Sequence, residues 1–135
     1  MDADLEMRLR LFEESGQVSS GVVRFVRGEL DRVARSWGLV LEEESAGMLV
    51  SHLLLALERV RAGEAIEDQD GAEDAADDLE ERPWALEEAH RIVENARPVV
   101  GAELPEAEVR FLALHLAAIA ETQGVRPRER RSEDR

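Results

Sequence analysis

The sequence predicts an all-α fold, a compact bundle of about five helices, and three observations carry that prediction. Apolar residues recur in steps of three and four along most of the chain, while strand-like alternation is nearly absent. Prolines, glycines and acidic first turns punctuate these stretches at intervals that suit helices. The chain has 135 residues and 44% apolar content, enough for one core; with three Phe, two Trp and no Tyr, that core must be filled by Leu, Val and Ala.

Each element follows from local signals. Leu5, Leu9 and Phe12 share a helical spacing, and the chain breaks at Ser15-Gly16, so residues 5–14 make a short first helix. From Val18 onward, Val22, Phe25, Val26, Leu30, Val33 and Trp37 form one stripe of an amphipathic helix that ends near Gly38. Glu42, Glu43 and Glu44 place negative charge where a helix dipole favours it, and Gly63 supplies a terminating residue, which makes 42–62 the clearest helix. Asp70 with Glu73 gives a start like a capping box, and Ala72, Ala75, Ala76 and Leu79 offer the thin stripe of a marginal helix. Pro83 suits a first turn, Leu86, Ala89, Val93 and Ala96 follow at helical spacing, and Pro98 with Gly101 limits the far end. The last helix opens at Pro105 with Glu106 and Glu108 in its first turn and runs through Phe111, Leu112, Leu116 and Ile119 to about Gln123. A single domain over residues 1–123 results, followed by an Arg-rich tail, 124–135, without an apolar stripe and therefore expected to be flexible.

Composition excludes several classes. The chain has no Cys, which removes a disulfide framework, a thiol nucleophile and a Cys-ligated zinc site. The start lacks the apolar core of a signal peptide, and no apolar run approaches the roughly 18 residues that span a bilayer, so a soluble cytoplasmic protein without membrane contact is expected. All 17 basic residues are Arg, and the net charge is −14. That acidity is local: residues 64–81 carry ten acids and no base, the composition of a solvated strip and without the spacing of a calcium loop. The folded part is acidic and the tail has a net charge of just +2, so no direct nucleic-acid binding is expected. No Gly-rich phosphate loop or nucleophile elbow occurs, and HRIVE at 90–94 supplies only two of the three or four ligands a zinc site needs. The sequence thus indicates neither an enzyme nor a metal or other cofactor.

Three histidines remain as candidates for chemistry near neutral pH. At 100° per residue, His52 lies roughly 60° outside the stripe formed by Leu49, Val50, Leu53, Leu54, Leu57 and Val60, and Arg59 falls within about 20° of it, two turns on. An imidazole and a guanidinium on one face suit an anion bound to, or built onto, the ring; the residues equally allow a boundary histidine beside a solvent-facing arginine. His115 sits in an apolar face among Phe111, Leu112, Ala118 and Ile119, either as a core histidine with Glu108 as its partner or as a neutral histidine at a helix or subunit boundary. His90, between Glu87 and Glu94, reads as an exposed helix pair.

Two segments together resemble the phosphotransferase-system regulation domain. SHLLLALERVRAGE, residues 51–64, is similar to its first histidine motif, in which a histidine precedes a hydrophobic helix, an arginine seven residues later and a glycine. ELPEAEVRFLALHL, residues 103–116, is similar to the second, in which Leu-Pro and acidic residues open a helix that carries an aromatic and a Leu-His-Leu step. The resemblance covers about residues 5–121 and implies a five-helix bundle, often dimeric, of the kind found in bacterial antiterminators and activators of sugar-utilisation genes. By motif position it implies His52 and His115 as phosphate acceptors and Arg59 as the supporting cation; His90 matches no family site. Ser51 stands where many members carry Asp, which removes a carboxylate that orients the ring.

The function implied is that of a non-enzymatic, stand-alone single-module regulator. It would be phosphorylated on histidine by the phosphocarrier protein or enzyme II components, and it would control carbohydrate-utilisation genes through protein–protein contacts as a homodimer. A helical dimerisation or interaction protein with purely structural histidines is the alternative.

Overall fold

Asp2 starts two helices at once. In the computed structural model, which describes residues 2–64 and 82–125, its carboxylate accepts the Leu5 N–H at 2.9 Å and the Glu43 N–H at 3.3 Å. It thereby satisfies donors at the N-termini of α1 (Ala3–Glu14) and α3 (Glu43–Arg61). Between them, α2 (Ser20–Trp37) presents the stripe its spacing predicts, with Val22, Val26, Leu30, Val33 and Trp37 buried and Phe25 half-buried against the core. Gly38 ends α2 at φ 69°, a left-handed conformation that favours glycine. The N-terminus of α2 is capped from another helix, because the Ser19 N–H donates to Glu58 Oε1 of α3 at 3.0 Å.

Pro83 opens α4 (Pro83–Val100) at its first turn, and Gly101 closes it at φ 76°. Pro98 does not limit this helix; it sits within the last turn. A proline there forfeits its bond to the carbonyl four residues back, but Pro98 and Glu94 are both exposed, where solvent access makes that loss tolerable. The last helix, α5 (Glu106–Thr122), follows Pro105 and ends where the Gln123 amide pairs with the Val40 backbone, accepting its N–H at 2.9 Å and donating to its carbonyl at 2.7 Å.

Among the described residues these five helices are all the regular structure, an all-α bundle over one hydrophobic core. Helix α3 packs on each of the other four, and α4 and α5 make the closest pair. Leu5, Leu9, Leu30, Leu49, Leu54, Leu57, Ile92 and Leu116 fill the centre. The marginal helix read over Asp70 to Leu79, nearly all of the acidic strip and the tail beyond Val125 lie outside the described residues. No described helix is long and apolar enough to cross a membrane.

Among the described residues three glutamates are buried: Glu29, Glu88 and Glu108. Two of them tie α2 to α4. Glu88 accepts from Trp37 Nε1–H at 2.9 Å and from Arg32 at 2.7 Å, while Glu29 accepts from Arg32 at 2.9 Å and from Asn95 at 2.6 Å. The third lies between α3 and α5.

Candidate functional site

Helix α5 carries Glu108, Phe111 and His115 in steps of three and four, so their side chains line one side of it. Helix α3 lays His52 onto that side. The imidazole of His52 stacks on Phe111 with centroids 3.9 Å apart and planes 27° from parallel, and Phe111 meets the His115 ring at 4.2 Å and 33°. Phe111 is therefore held between the two histidines singled out by the sequence, in a geometry that favours aromatic contact.

Hydrogen bonds set the protons on both rings. His52 Nε2 lies 2.5 Å from Glu108 Oε1, and the Glu108 side chain is only 3% exposed. A carboxylate accepts, so Nε2–H donates and the lone pair of a neutral His52 falls on Nδ1. His115 Nδ1 lies 3.0 Å from the Phe111 carbonyl, which also only accepts, so Nδ1–H donates and the lone pair falls on Nε2. The two histidines thus present opposite nitrogens.

Glu108 does not pair with His115, as its position two turns away on one helix face suggests; its carboxylate goes to His52. The cause is tertiary: the register of α3 against α5 inserts the His52 ring beside Phe111 and within reach of Glu108. This contact also bears on Ser51, where the related motif often carries Asp. The ring-orienting carboxylate comes from the facing helix, and the Ser51 hydroxyl instead accepts from Arg8 Nη1 of α1 at 2.7 Å. Arg8 grips both oxygens of Glu43, and this bond holds the Glu43 carboxyl below the usual carboxylate range while raising the Arg8 guanidinium above its ordinary value.

Arg59 is exposed on the side of α3 that carries His52, and its guanidinium makes no bond to another described residue. Met48, His52, Leu55 and Arg59 step by four, three and four along α3, so an apolar pair brackets the histidine on this face. His90 lies apart from the site. It pairs neither with Glu87 nor with Glu94; its Nδ1 bonds the Leu86 carbonyl at 3.0 Å and its Nε2 reaches Glu106 at 3.3 Å, because the N-terminus of α5 packs beside α4. Among the described residues, no group of three or more His, Asp or Glu side chains is placed to hold a metal ion.

Sequence reasoning singles out Glu108 but gives it to His115; what it misses is the direct pairing of Glu108 with His52 and the shared role of Phe111. Their spacing to His115 is legible along α5, but which ring of α3 they meet is not.

The chain matches the family model described as PRD domain over residues 29–119, from the middle of α2 to near the end of α5. The matched stretch contains His52, Arg59, Glu108, Phe111 and His115. No curated protein and no solved structure matches the chain.

Proposed function

Since the chain belongs to the PRD domain family, we propose that it is a non-enzymatic regulatory module that receives phosphoryl groups on His52 and His115. The donor is the phosphocarrier protein, or an enzyme II component, of the sugar phosphotransferase system. The module, spanning residues 1–123, then acts through protein–protein contacts in the cytoplasm to control carbohydrate-utilisation genes, with no nucleic-acid contact of its own.

One observation carries this reading. Two histidines from separate motifs stand on either face of Phe111, each with its proton fixed by an acceptor and its lone pair on the opposite nitrogen. An imidazole needs that state to attack phosphorus, and a buried carboxylate behind the ring favours the positive charge that develops on attack. Arg59, on the outer side of α3, supplies a cation for the phosphoryl at His52.

The same face supports a homodimer. Met48 is 77% exposed and Leu55 is also exposed, one on each side of His52, and a second copy laid on α3 covers both. A change of charge at His52 then acts at the boundary between subunits.

The test is incubation with phosphoenolpyruvate, the general phosphotransferase enzyme and the phosphocarrier, followed by intact mass and peptide mapping. Acid-labile phosphate on His52, His115 or both is expected. The back-bond from His115 to the Phe111 carbonyl and the burial of Glu108 also suit a helical interaction protein whose histidines are structural. Absence of phosphate under conditions that phosphorylate a known acceptor decides for that second reading.

A further inference from the structure

We propose that the two histidines take phosphate on different ring nitrogens, His52 on Nδ1 and His115 on Nε2, and that Glu108 is the positioning residue that enforces the choice at His52. This rests on the phosphoacceptor role proposed above and adds to it the chemical form of each product.

At His52, Nε2 is closed. Its partner oxygen is 2.5 Å away on a carboxylate that is almost entirely buried, so a tetrahedral dianion at Nε2 would have to displace Glu108 and stand against its charge. Nδ1 bonds to no described residue, and it is not among the buried side-chain atoms without a partner, so it opens to solvent. His115 is the mirror case. Its Nδ1 is held by the Phe111 carbonyl at 3.0 Å, while Nε2 bonds to no described residue and is likewise absent from the buried unpartnered atoms. Rotating the His52 ring to exchange its nitrogens would break the bond to Glu108, and Phe111 covers one ring face.

The transfer balances without a further reactant. The lone pair on the acceptor nitrogen forms the new N–P bond as the N–P bond of the donor breaks, and that electron pair returns to the donor nitrogen. The acceptor ring keeps its proton on the far nitrogen, facing Glu108 in His52 and the Phe111 carbonyl in His115. The ring charge formed by N-phosphorylation is thus offset by a carboxylate at His52 and by a neutral carbonyl at His115.

The experiment uses the full chain labelled with 15N-histidine. Ring 15N shifts in the unmodified protein are read first, at a pH where both rings are neutral: Nε2–H is expected at His52 and Nδ1–H at His115. The reverse tautomer at either ring overturns the assignment, whatever happens with phosphate. The protein is then phosphorylated in two ways, with the phosphocarrier system and with phosphoramidate, a donor that needs no partner protein, and the 15N–31P coupling identifies the bonded nitrogen. His115→Gln isolates the His52 signal and His52→Gln the His115 signal.

Coupling to Nδ1 in His52 and to Nε2 in His115 is the expected result, and the same nitrogen in both overturns the proposal. Glu108→Ala should release the constraint, so that His52 yields both isomers while His115 keeps its single one. A His52 product unchanged by that substitution removes Glu108 from the role. No phosphate from either donor, with the expected tautomers in place, refutes the acceptor function itself rather than the ring geometry.

Discussion

Replacing Glu88 by Ala tests whether the buried carboxylate between α2 and α4 holds the bundle that presents the site. The Glu88 side chain is 1% exposed and accepts from Trp37 Nε1–H and from Arg32 at 2.9 and 2.7 Å. Deleting it takes a buried bond from the indole, and a hydrogen bond to a charged acceptor is worth about 1.5–3 kcal/mol. It also breaks the ion pair with Arg32, a loss worth about 3–5 kcal/mol when the remaining charge is left alone, and a longer contact at 3.9 Å to the exposed Arg91, which water replaces at little cost. Arg32 is not left alone: it is 30% exposed and keeps Glu29 at 2.9 Å, so the second loss falls well below that range. The expected total is about 3 kcal/mol, which for a domain of this size lowers the melting temperature by roughly 10–20 °C.

The assay is built into the protein. Trp37 and Trp84, the two tryptophans of the chain, lie with ring centroids 5.6 Å apart beside this network, so their fluorescence follows unfolding and local repacking together. Urea titrations of the parent, Glu88→Ala and Glu88→Gln are compared. The Gln variant keeps an acceptor and loses the charge, and should cost about 1–2 kcal/mol. A cost below about 1 kcal/mol for Glu88→Ala, with an unchanged urea slope, would show that water or Glu29 replaces the carboxylate and that the network does not fix α4.

Glu58 links stability to acid: the Arg61 guanidinium, together with the Ser19 N–H and against the cost of burial, holds its carboxyl at about 2, below the ordinary 4.5. The folded value lies under the unfolded one, so this contribution is present above pH about 4.5 and is lost as pH falls toward 2; Glu58→Gln should flatten the melting temperature over that window. Phe111→Ala removes two ring contacts of about 0.5–1.5 kcal/mol each, and should move the NMR signals of His52 and His115 together; movement of one alone would contradict the shared stack. Gln123→Ala removes the bidentate clamp on Val40 and should cost about 1 kcal/mol, with faster hydrogen exchange at the Val40 amide as its local signature. Met48→Glu places a charge on the exposed α3 face and should weaken self-association in sedimentation equilibrium at least tenfold, while leaving the monomer's melting temperature unchanged.

Helix ends were the most legible feature of the sequence, because the signals for them are local. Gly38, Gly63 and Gly101 all adopt positive φ where the periodic stretches stop, and Pro83 stands at a first turn. Pro98 misleads because its cost depends on whether the orphaned carbonyl meets water, a property of the folded surface. The buried glutamates were illegible for a related reason. Glu29, Glu88 and Glu108 lie on inward faces, and a carboxylate there is tolerable only with a partner; those partners are Arg32, Trp37, Asn95 and His52, and four of the five bonds they make run between helices. One helix alone offers Glu108 to His115, and only the packing of α3 on α5 gives it to His52.

That packing changes what a charge at the two histidines means for the bundle. Along single helices the sites look independent: Arg59 stands on the His52 side, and His115 has apolar nearest neighbours with Glu108 two turns away. In the folded protein both rings rest on the two faces of one phenyl group, and α5 supplies the acceptor for each of their protons. A phosphoryl group that shifts either ring must shift Phe111 or tear away from it, and the other ring loses the same support. The asymmetry survives in what lies behind each ring. At His52 a buried carboxylate balances a positive ring and an exposed arginine stands on the outer face, whereas at His115 a carbonyl is the bonded partner, and a carbonyl offsets less charge. On the proposed reading, phosphoryl groups at the two histidines would act on one α3–α5 seam with unequal energetic consequences, and such a difference is what a two-state element needs to tell one input from the other.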